Sequence, residues 1–390
     1  MSKSWPMVKL GEVLRHTPRP VSVKADESYR QIGIRSHGKG VFHKEAVSGF
    51  DLGNKKVFWM EPGDFVINIV FGWEGAVAVL GESEKDMIAS HRFPTFRADD
   101  SRLDSRFLLY FCKTPAGLDL LGRVSPGGAG RNRTLSKTAF LEQSIPLPPL
   151  TEQRRIVARI EELAAQVHEA KRLRKEAAEE AEAMLASIIA RMFNPKNDWK
   201  IKAISEFCEA PQYGYTESAT RDAVGPKFLR ITDIQEGNVE WATVPYCRCE
   251  KPDKYLLQAN DLVFARTGAT TGKSYVIKEC PIAVFASYLI RLRVRDSVSI
   301  DYLYRYFQSP DYWMQIADEK KGTGQPNLNG SKLAALNIPI APLPEQRRIV
   351  AELDALQAEV DALKRLQAAT SAEIDALLPS ILDRAFCGEL

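Results

Sequence analysis

One ten-residue segment of this chain occurs twice in nearly the same form. Pro149-Leu150-Thr151-Glu152-Gln153-Arg154-Arg155-Ile156-Val157-Ala158 returns as Pro342-Leu343-Pro344-Glu345-Gln346-Arg347-Arg348-Ile349-Val350-Ala351, with seven consecutive identities and an offset of 193 in a chain of 390 residues. A period near half the length constrains the fold more than any local pattern, because one plan must be built twice and joined head to tail. Weaker echoes extend it. Trp5 parallels Trp199, Gly63-Asp64-Phe65-Val66 parallels Asn260-Asp261-Leu262-Val263, Gly75 parallels Gly272, and Ala89-Ser90 parallels Ala286-Ser287, at offsets of 193 to 197. The Gly-rich stretch ending in Leu135 likewise matches the one ending in Leu328.

Each half opens with a segment rich in Gly, Pro and β-formers, with short apolar runs such as Val57-Phe58-Trp59 and Tyr275-Val276-Ile277 between turn signals. That pattern predicts a twisted sheet with a few helices. A short helical patch follows (Phe107 to Cys112; Tyr302 to Phe307), then a Gly-rich loop, a Pro-punctuated link and a long helix. In the first helix Ile156, Ile160, Leu163, Val167, Ala170, Ala177, Ala181, Met184 and Ile188 form one apolar seam broken at Arg174. In the second, Ile349, Leu353, Leu356, Val360, Leu363, Ile374, Leu377 and Ile381 keep the same phase, broken at Gln367 and Thr370. A spacing near 3.5 held over several heptads is a coiled-coil seam, and a core helix of an ordinary domain is the bland alternative. A helix of about 33 residues would span roughly 50 Å, more than a small domain's diameter.

Connectivity sets the geometry. The first helix starts at one globule and its far end launches the next, so the second must run back for the seams to meet. The expected fold is therefore α+β, with two globular α/β-mixed recognition domains (1–149 and 196–342) containing twisted sheets. A pair of long antiparallel coiled-coil helices (150–195 and 343–390) separates them in a pseudo-twofold tandem repeat. Two such modules held apart match two major-groove faces about one duplex turn, roughly 34–36 Å, from each other. Divergent loops imply unlike half-sites.

Residues of both halves also resemble a known family. The Pro-Leu-x-Glu-Gln-x-x-Ile segments at 149–156 and 342–349 look like those of the specificity subunit of Type I restriction–modification systems. So do Asp261-Leu262-Val263 followed by Arg266-Thr267-Gly268-Ala269-Thr270-Thr271-Gly272-Lys273, and Gly324-Gln325-Pro326-Asn327-Leu328. The resemblance covers essentially the whole chain. It implies sequence-specific recognition of double-stranded DNA without catalysis, in a bipartite asymmetric site. Two modification subunits would dock on the helices and methylate adenine N6, and restriction subunits would join them to cleave DNA. S-adenosylmethionine, ATP and Mg would reside on those partners. The first half departs from the pattern: Gly72-Trp73-Glu74-Gly75 replaces the Thr-Gly-Ala version, and Gly130-Arg131-Asn132-Arg133-Thr134-Leu135 replaces Gly-Gln-Pro-Asn-Leu. Its contact residues transfer less readily for that reason.

The loops carry their own chemistry. Arg131, Asn132 and Arg133 sit in a Gly-rich stretch whose counterpart holds Lys320, Lys321, Gln325 and Asn327. Arg binds guanine and Asn adenine in two-pronged fashion, while either can simply hold phosphate. Tyr213, Tyr215 and Arg221 form a polar, aromatic loop, and Arg266 and Lys273 flank the Thr-Gly-Ala turn. These are the candidate DNA contacts; the alternative is a solvated scaffold loop. Glu152, Gln153, Arg154 and Arg155, with Glu345, Gln346, Arg347 and Arg348, stand at the helix starts. There the glutamates favour the helix dipole and the arginines oppose it, which suggests a hinge or a partner-docking surface.

Other functions fit less well. Gly268 to Ser274 imitates a phosphate-binding loop but has three residues between its glycines where four are required, and a strand pattern follows instead of a helix. Asn194-Pro195-Lys196-Asn197 lacks the second proline and aromatic residue with which adenine methyltransferases hold a flipped base, so it reads as a linker. Cys247 and Cys249 form a lone CxC with no second ligand pair, and no metal or catalytic site is expected. The net charge is +3, distributed as +5, 0, +2 and −4 over the four segments, so any polyanion contact must be local. A coiled-coil adaptor with two protein-binding globules explains the repeat but not two Gly/Arg/Asn/Gln loops at equivalent positions. The longest apolar stretch, Phe65 to Trp73, is too short for a bilayer, and the first residues lack a signal-peptide core, so a soluble, cytoplasmic protein is expected.

Overall fold

The structure, a computed structural model, describes residues 5–127, 133–195, 199–235, 237–295, 298–318 and 327–389. The chain divides into two compact units, one of residues 1–173 with 368–390 and one of residues 174–367. The division cuts both long helices, so each unit holds the beginning of one helix and the end of the other.

The first unit is built on a four-stranded antiparallel sheet in the order Leu14–His16, Thr95–Ala98, Phe65–Ile67, Val77–Val79. The second repeats that order with Gln212–Tyr213, Leu289–Leu292, Leu262–Ala265 and Ser274–Val276. In each unit the central strand is the buried apolar run that opens with Asp64 or Asp261. A separate two-stranded pair closes each globule, Met7–Lys9 with Ser144–Pro146 and Lys200–Ala203 with Asn337–Ile340. Entry and exit of each globule therefore lie side by side. The repeat weakens elsewhere: Val57–Trp59 pairs antiparallel with Ile88–Ser90, whereas Lys227–Leu229 pairs parallel with Ala283–Phe285.

The predicted helical patches are Ser105–Phe111 and Ile300–Tyr306, capped by the side chains of Asp104 and Ser299. A further helix follows in each unit, Pro115–Arg123 and Pro310–Asp318, where sequence reasoning placed only the approach to the Gly-rich loop. Pro at the first helical position and an apolar face set by Leu120 and Leu121, or Tyr312 and Ile316, explain both. The cores are aromatic. Phe65, Phe96, Phe107 and Phe140 are buried in one unit, and Phe264, Tyr302, Tyr306 and Tyr312 in the other. Each such side chain contributes about 1.5–3 kcal/mol on burial.

The long helices run Leu150–Met192 and Leu343–Phe386, 43 and 44 residues, longer than the seam alone suggested. In the first unit Ile156, Val157 and Ile160 share a core with Leu382 and Ala385. In the second, Leu185, Ile189 and Phe193 share one with Ile349 and Leu353. Within each unit the start of one helix thus packs with the end of the other, an antiparallel pairing. One ion pair occurs twice: Lys171 with Asp375 in the first unit, Lys364 with Glu182 in the second.

The seam departs from expectation near its ends. Met184 and Leu377 are 65% and 45% exposed, while Leu185 and Leu382 are buried. An α-helix drifts by about 20° per heptad against a strict seven-residue repeat, so four heptads turn the stripe by about 80°, close to one residue's rotation. The final turns therefore bury the neighbouring side chains, Leu185, Ile189 and Phe193, in the globule.

Candidate nucleic-acid interface

Each central strand is anchored at one end and open at the other. At the anchored end Asp64 is fully buried against Arg19 and Arg97, and Asp261 is 2% exposed against Arg291 and Arg293. Arg293 Nε stands 2.7 Å from Asp261 Oδ1, and this hydrogen bond raises its guanidinium pKa. Burial pulls that of Arg291 below the usual range, with Asp261 opposing it. These arginines are committed to the scaffold.

At the open end the Gly-rich stretches rejoin the fold. The Leu135 N–H donates to the Ile69 carbonyl at 2.9 Å, and the Leu328 N–H to the Arg266 carbonyl at 2.8 Å. Both leucines are buried. A tight 3-10 turn lies beside each junction, Gly72–Glu74 or Gly268–Thr270. The turns lead to Gly75 and Gly272, whose φ angles of 74° and 93° favour glycine. Side chains roof these glycines: an added Cβ would come within 2.9 Å of Leu118 in one unit, and within 3.0 Å of Ile316 and 3.2 Å of the Trp313 ring in the other.

On this shared frame the two units carry different cation–aromatic pairs. Arg133 Cζ is 5.2 Å from the Trp73 ring centroid, and Arg266 Cζ is 4.9 Å from that of Tyr213. Trp73 Nε1 donates to the Val70 carbonyl at 3.2 Å, and the Tyr213 hydroxyl accepts from the Gly330 N–H at 2.7 Å, so both rings are held. Asn327 is bridged to Thr267, and Lys273 follows the turn, its N–H bonded to the Thr270 carbonyl. Both side chains are exposed. Tyr213, Arg266, Lys273 and Asn327 therefore gather at one tip, and Arg133 occupies the matching tip of the first unit.

Two candidate positions fall elsewhere. Tyr215 packs against Tyr255 at 5.3 Å and against a core of Phe228, Cys247 and Val284, a scaffold placement rather than a groove-facing one. Arg221 is exposed in a separate turn beside the Thr220–Tyr246 bridge. Arg131, Asn132, Lys320, Lys321 and Gln325 lie outside the described residues. Sequence reasoning missed Trp73 and Trp313 as tip residues; the Gly-Trp-Glu-Gly departure marked the former, and nothing local marked the latter.

The duplicated motif at the helix starts separates into distinct roles. The buried Gln153 amide accepts from the Asp104 N–H at 2.9 Å and donates to the Arg102 and Pro148 carbonyls, both at 2.8 Å. Gln346 does the same with the Ser299 N–H at 2.8 Å and the Ala341 carbonyl at 2.7 Å. These two are hinge clamps, closed to an outside partner. Arg155 and Arg348 pair with Glu152 and Glu345 at 2.8 Å. Arg154 and Arg347 are exposed and have no ion pair among the described residues. Arg106 to Glu161 and Arg305 to Asp354 add a second tie from globule to helix.

Among the described residues, the turn of the second unit is not built like a phosphate-binding loop. The Gly268–Thr270 turn leads into the strand Ser274–Val276, so no helix N-terminus faces a phosphate there. Among the described residues no cluster of His, Cys, Asp and Glu could hold a metal. Burial pushes the Cys247 thiol up to about 11, away from the thiolate that a metal requires. No described helix is long and apolar enough to cross a membrane.

The chain matches the Type I restriction modification DNA specificity domain twice, over residues 3–178 and 196–370. It belongs to that family. The EcoKI specificity subunit of Escherichia coli K12 is 24% identical over 85% of this chain and 75% of its own length. The MjaVIII specificity subunit of Methanocaldococcus jannaschii is 19% identical over 100% and 93%. Among solved structures, the HsdS subunit from Thermoanaerobacter tengcongensis is 25% identical with a TM-score of 0.65, covering 100% of this chain and 98% of that one. A chain from a structure concerned with complex assembly and conformational transition of the type I R-M system is 26% identical, with a TM-score of 0.76 and coverage of 100% and 99%. The protein is thus a Type I specificity subunit, a DNA-recognition chain without catalytic activity or a catalytic cofactor of its own. It works with DNA and with the other subunits of its system, where catalysis resides.

Proposed function

We propose that this specificity subunit reads a bipartite, asymmetric duplex site, one half with residues 1–149 and the other with 196–342. The helices 150–195 and 343–390 set the gap. The observation that supports this most directly is the same four-stranded frame built twice with different side chains at the same tip: Arg133 over Trp73 in one unit, Arg266 over Tyr213 in the other. Equal frames give equivalent docking, and unlike tips give unlike half-sites. Lys273 and Asn327 complete the described contacts of the second tip, with Arg131, Asn132, Lys320, Lys321 and Gln325 assigned from sequence alone. Two modification subunits dock along the helices, where Arg154 and Arg347 are open to them, and methylate adenine N6 with S-adenosylmethionine. Restriction subunits bring ATP- and Mg-dependent cleavage, and the assembly works in the cytoplasm. Co-expression with the cognate modification subunit, followed by genome-wide mapping of methylated adenine, tests the reading. A two-part motif with a fixed gap is expected; a single continuous motif refutes it.

A further inference from the structure

Arg266 is held at more than one point yet has a donor left over. Its N–H donates to the Tyr288 carbonyl at 2.9 Å and its carbonyl accepts from Leu328, so the backbone is fixed on both sides. Its guanidinium lies over Tyr213, a ring pinned by the Gly330 N–H at 2.7 Å and by the pairing of Gln212–Tyr213 with the sheet. In this cradle Arg266 Nε is buried and, among the described residues, has no hydrogen-bond partner. Four other arginines of the same unit are matched: Arg230 to Asp233, Arg291 and Arg293 to Asp261, Arg305 to Asp354. Folded proteins rarely leave a buried donor unmatched, because it loses water without gaining an acceptor.

The guanidinium supplies the rest of the argument. Nε and one Nη lie along a single planar edge, the edge that meets a pair of acceptors two-pronged. The residue is only half-buried, so rotating its outer torsions while the plane slides over the tyrosine face turns that edge outward. We infer that Arg266 is the second unit's two-pronged contact with an acceptor pair on the duplex, and that Tyr213 is a positioning residue, the platform beneath the fork rather than a ring that stacks on bases. The inference rests on the DNA-reading role proposed above. Guanine O6/N7 and a pair of phosphate oxygens offer the same acceptor chemistry. In the first unit Ile69 occupies the position of Arg266, its carbonyl receiving Leu135 as that of Arg266 receives Leu328. The effect therefore belongs to one half-site.

The test uses the full chain co-purified with its modification subunit, wild type against Arg266→Ala, Arg266→Lys, Tyr213→Phe and Tyr213→Ala. Binding to a duplex library is measured across a salt series. Arg266→Ala should weaken binding by about 10- to 100-fold, and Arg266→Lys should not restore it, because an ammonium is a point donor. If the acceptor is guanine, preference disappears at one position of one half-site. If it is phosphate, all sequences weaken alike and the log–log salt slope falls by about one. Tyr213→Phe keeps the ring and should stay close to wild type, whereas Tyr213→Ala should reproduce the Arg266→Ala pattern in weaker form. Arg266→Ala with affinity, preference and slope all unchanged, in a complex whose wild type binds duplex, overturns the inference. A wild-type complex that binds no duplex at any salt overturns instead the reading beneath it.

Discussion

Gln153 and Gln346 commit both ends of a buried amide to main-chain groups at the points where the long helices leave their globules. Gln153→Ala would orphan the Asp104 N–H and the Arg102 and Pro148 carbonyls, at a cost of about 2–3 kcal/mol. Denaturant unfolding measures it; a loss below about 0.5 kcal/mol would show that the amide is not a clamp. A second residue-scale consequence concerns alkali. The phenols of Tyr302, Tyr306 and Tyr312 donate to the Pro339, Asn337 and Gly272 carbonyls, and burial raises all three pKa values, that of Tyr306 to about 12. An acid whose folded pKa lies above its unfolded value of about 10 contributes stability in full below pH 10 and loses it as pH rises through the folded value. Matched by position, the first unit has Phe107 and Phe111 in place of Tyr302 and Tyr306, which cannot ionise. The second unit should therefore unfold first between about pH 10 and 12, followed by circular dichroism and tyrosinate absorbance. Tyr302→Phe with Tyr306→Phe should flatten that loss, and an unchanged profile would reject the assignment.

Along the long helices, two of the three interruptions of the seam, Arg174 and Gln367, explain each other. Arg174 donates through Nη2 to the Gln367 carbonyl, and Gln367 donates through Nε2 to the Arg174 carbonyl at 2.9 Å. They are the same position of the repeat, 193 residues apart, meeting across the helix pair. A polar pair inside an apolar seam fixes register at some expense in stability. Replacing both by Leu should raise the thermal midpoint by a few degrees, about 1 kcal/mol, while the helices lose their single alignment. Disulfide trapping at several offsets along the pair would report it; one offset only would mean that register is set elsewhere. The seam itself was legible because a 3.5-residue period is local. Its shift at Met184 and Leu377 was not, because it depends on the globule surface that captures Leu185 and Leu382.

For the molecule as a whole, the clamps and the ties from Arg106 and Arg305 make each helix a continuation of its globule. Removing one heptad from each helix, about 10 Å or three base pairs of reach, should shorten the gap in the methylated site and leave both half-sites unchanged. An unchanged gap would refute the ruler. The amino-acid sequence alone determined that one plan is built twice, that each copy ends in a long helix, and where the Gly-rich stretches fall. Those features are written as identity at a constant offset and as short periods, which neighbouring residues carry by themselves. Only the tertiary structure decided that Tyr215 packs half-buried beside Tyr255 and that Tyr213 stands at a tip. The same holds for the glutamine of the repeated motif turning inward, for Arg174 meeting Gln367, and for one strand pair running parallel in the second unit. Each is settled by which distant segment arrives to bury a side chain or accept its proton, and that choice is made by packing the chain as a whole.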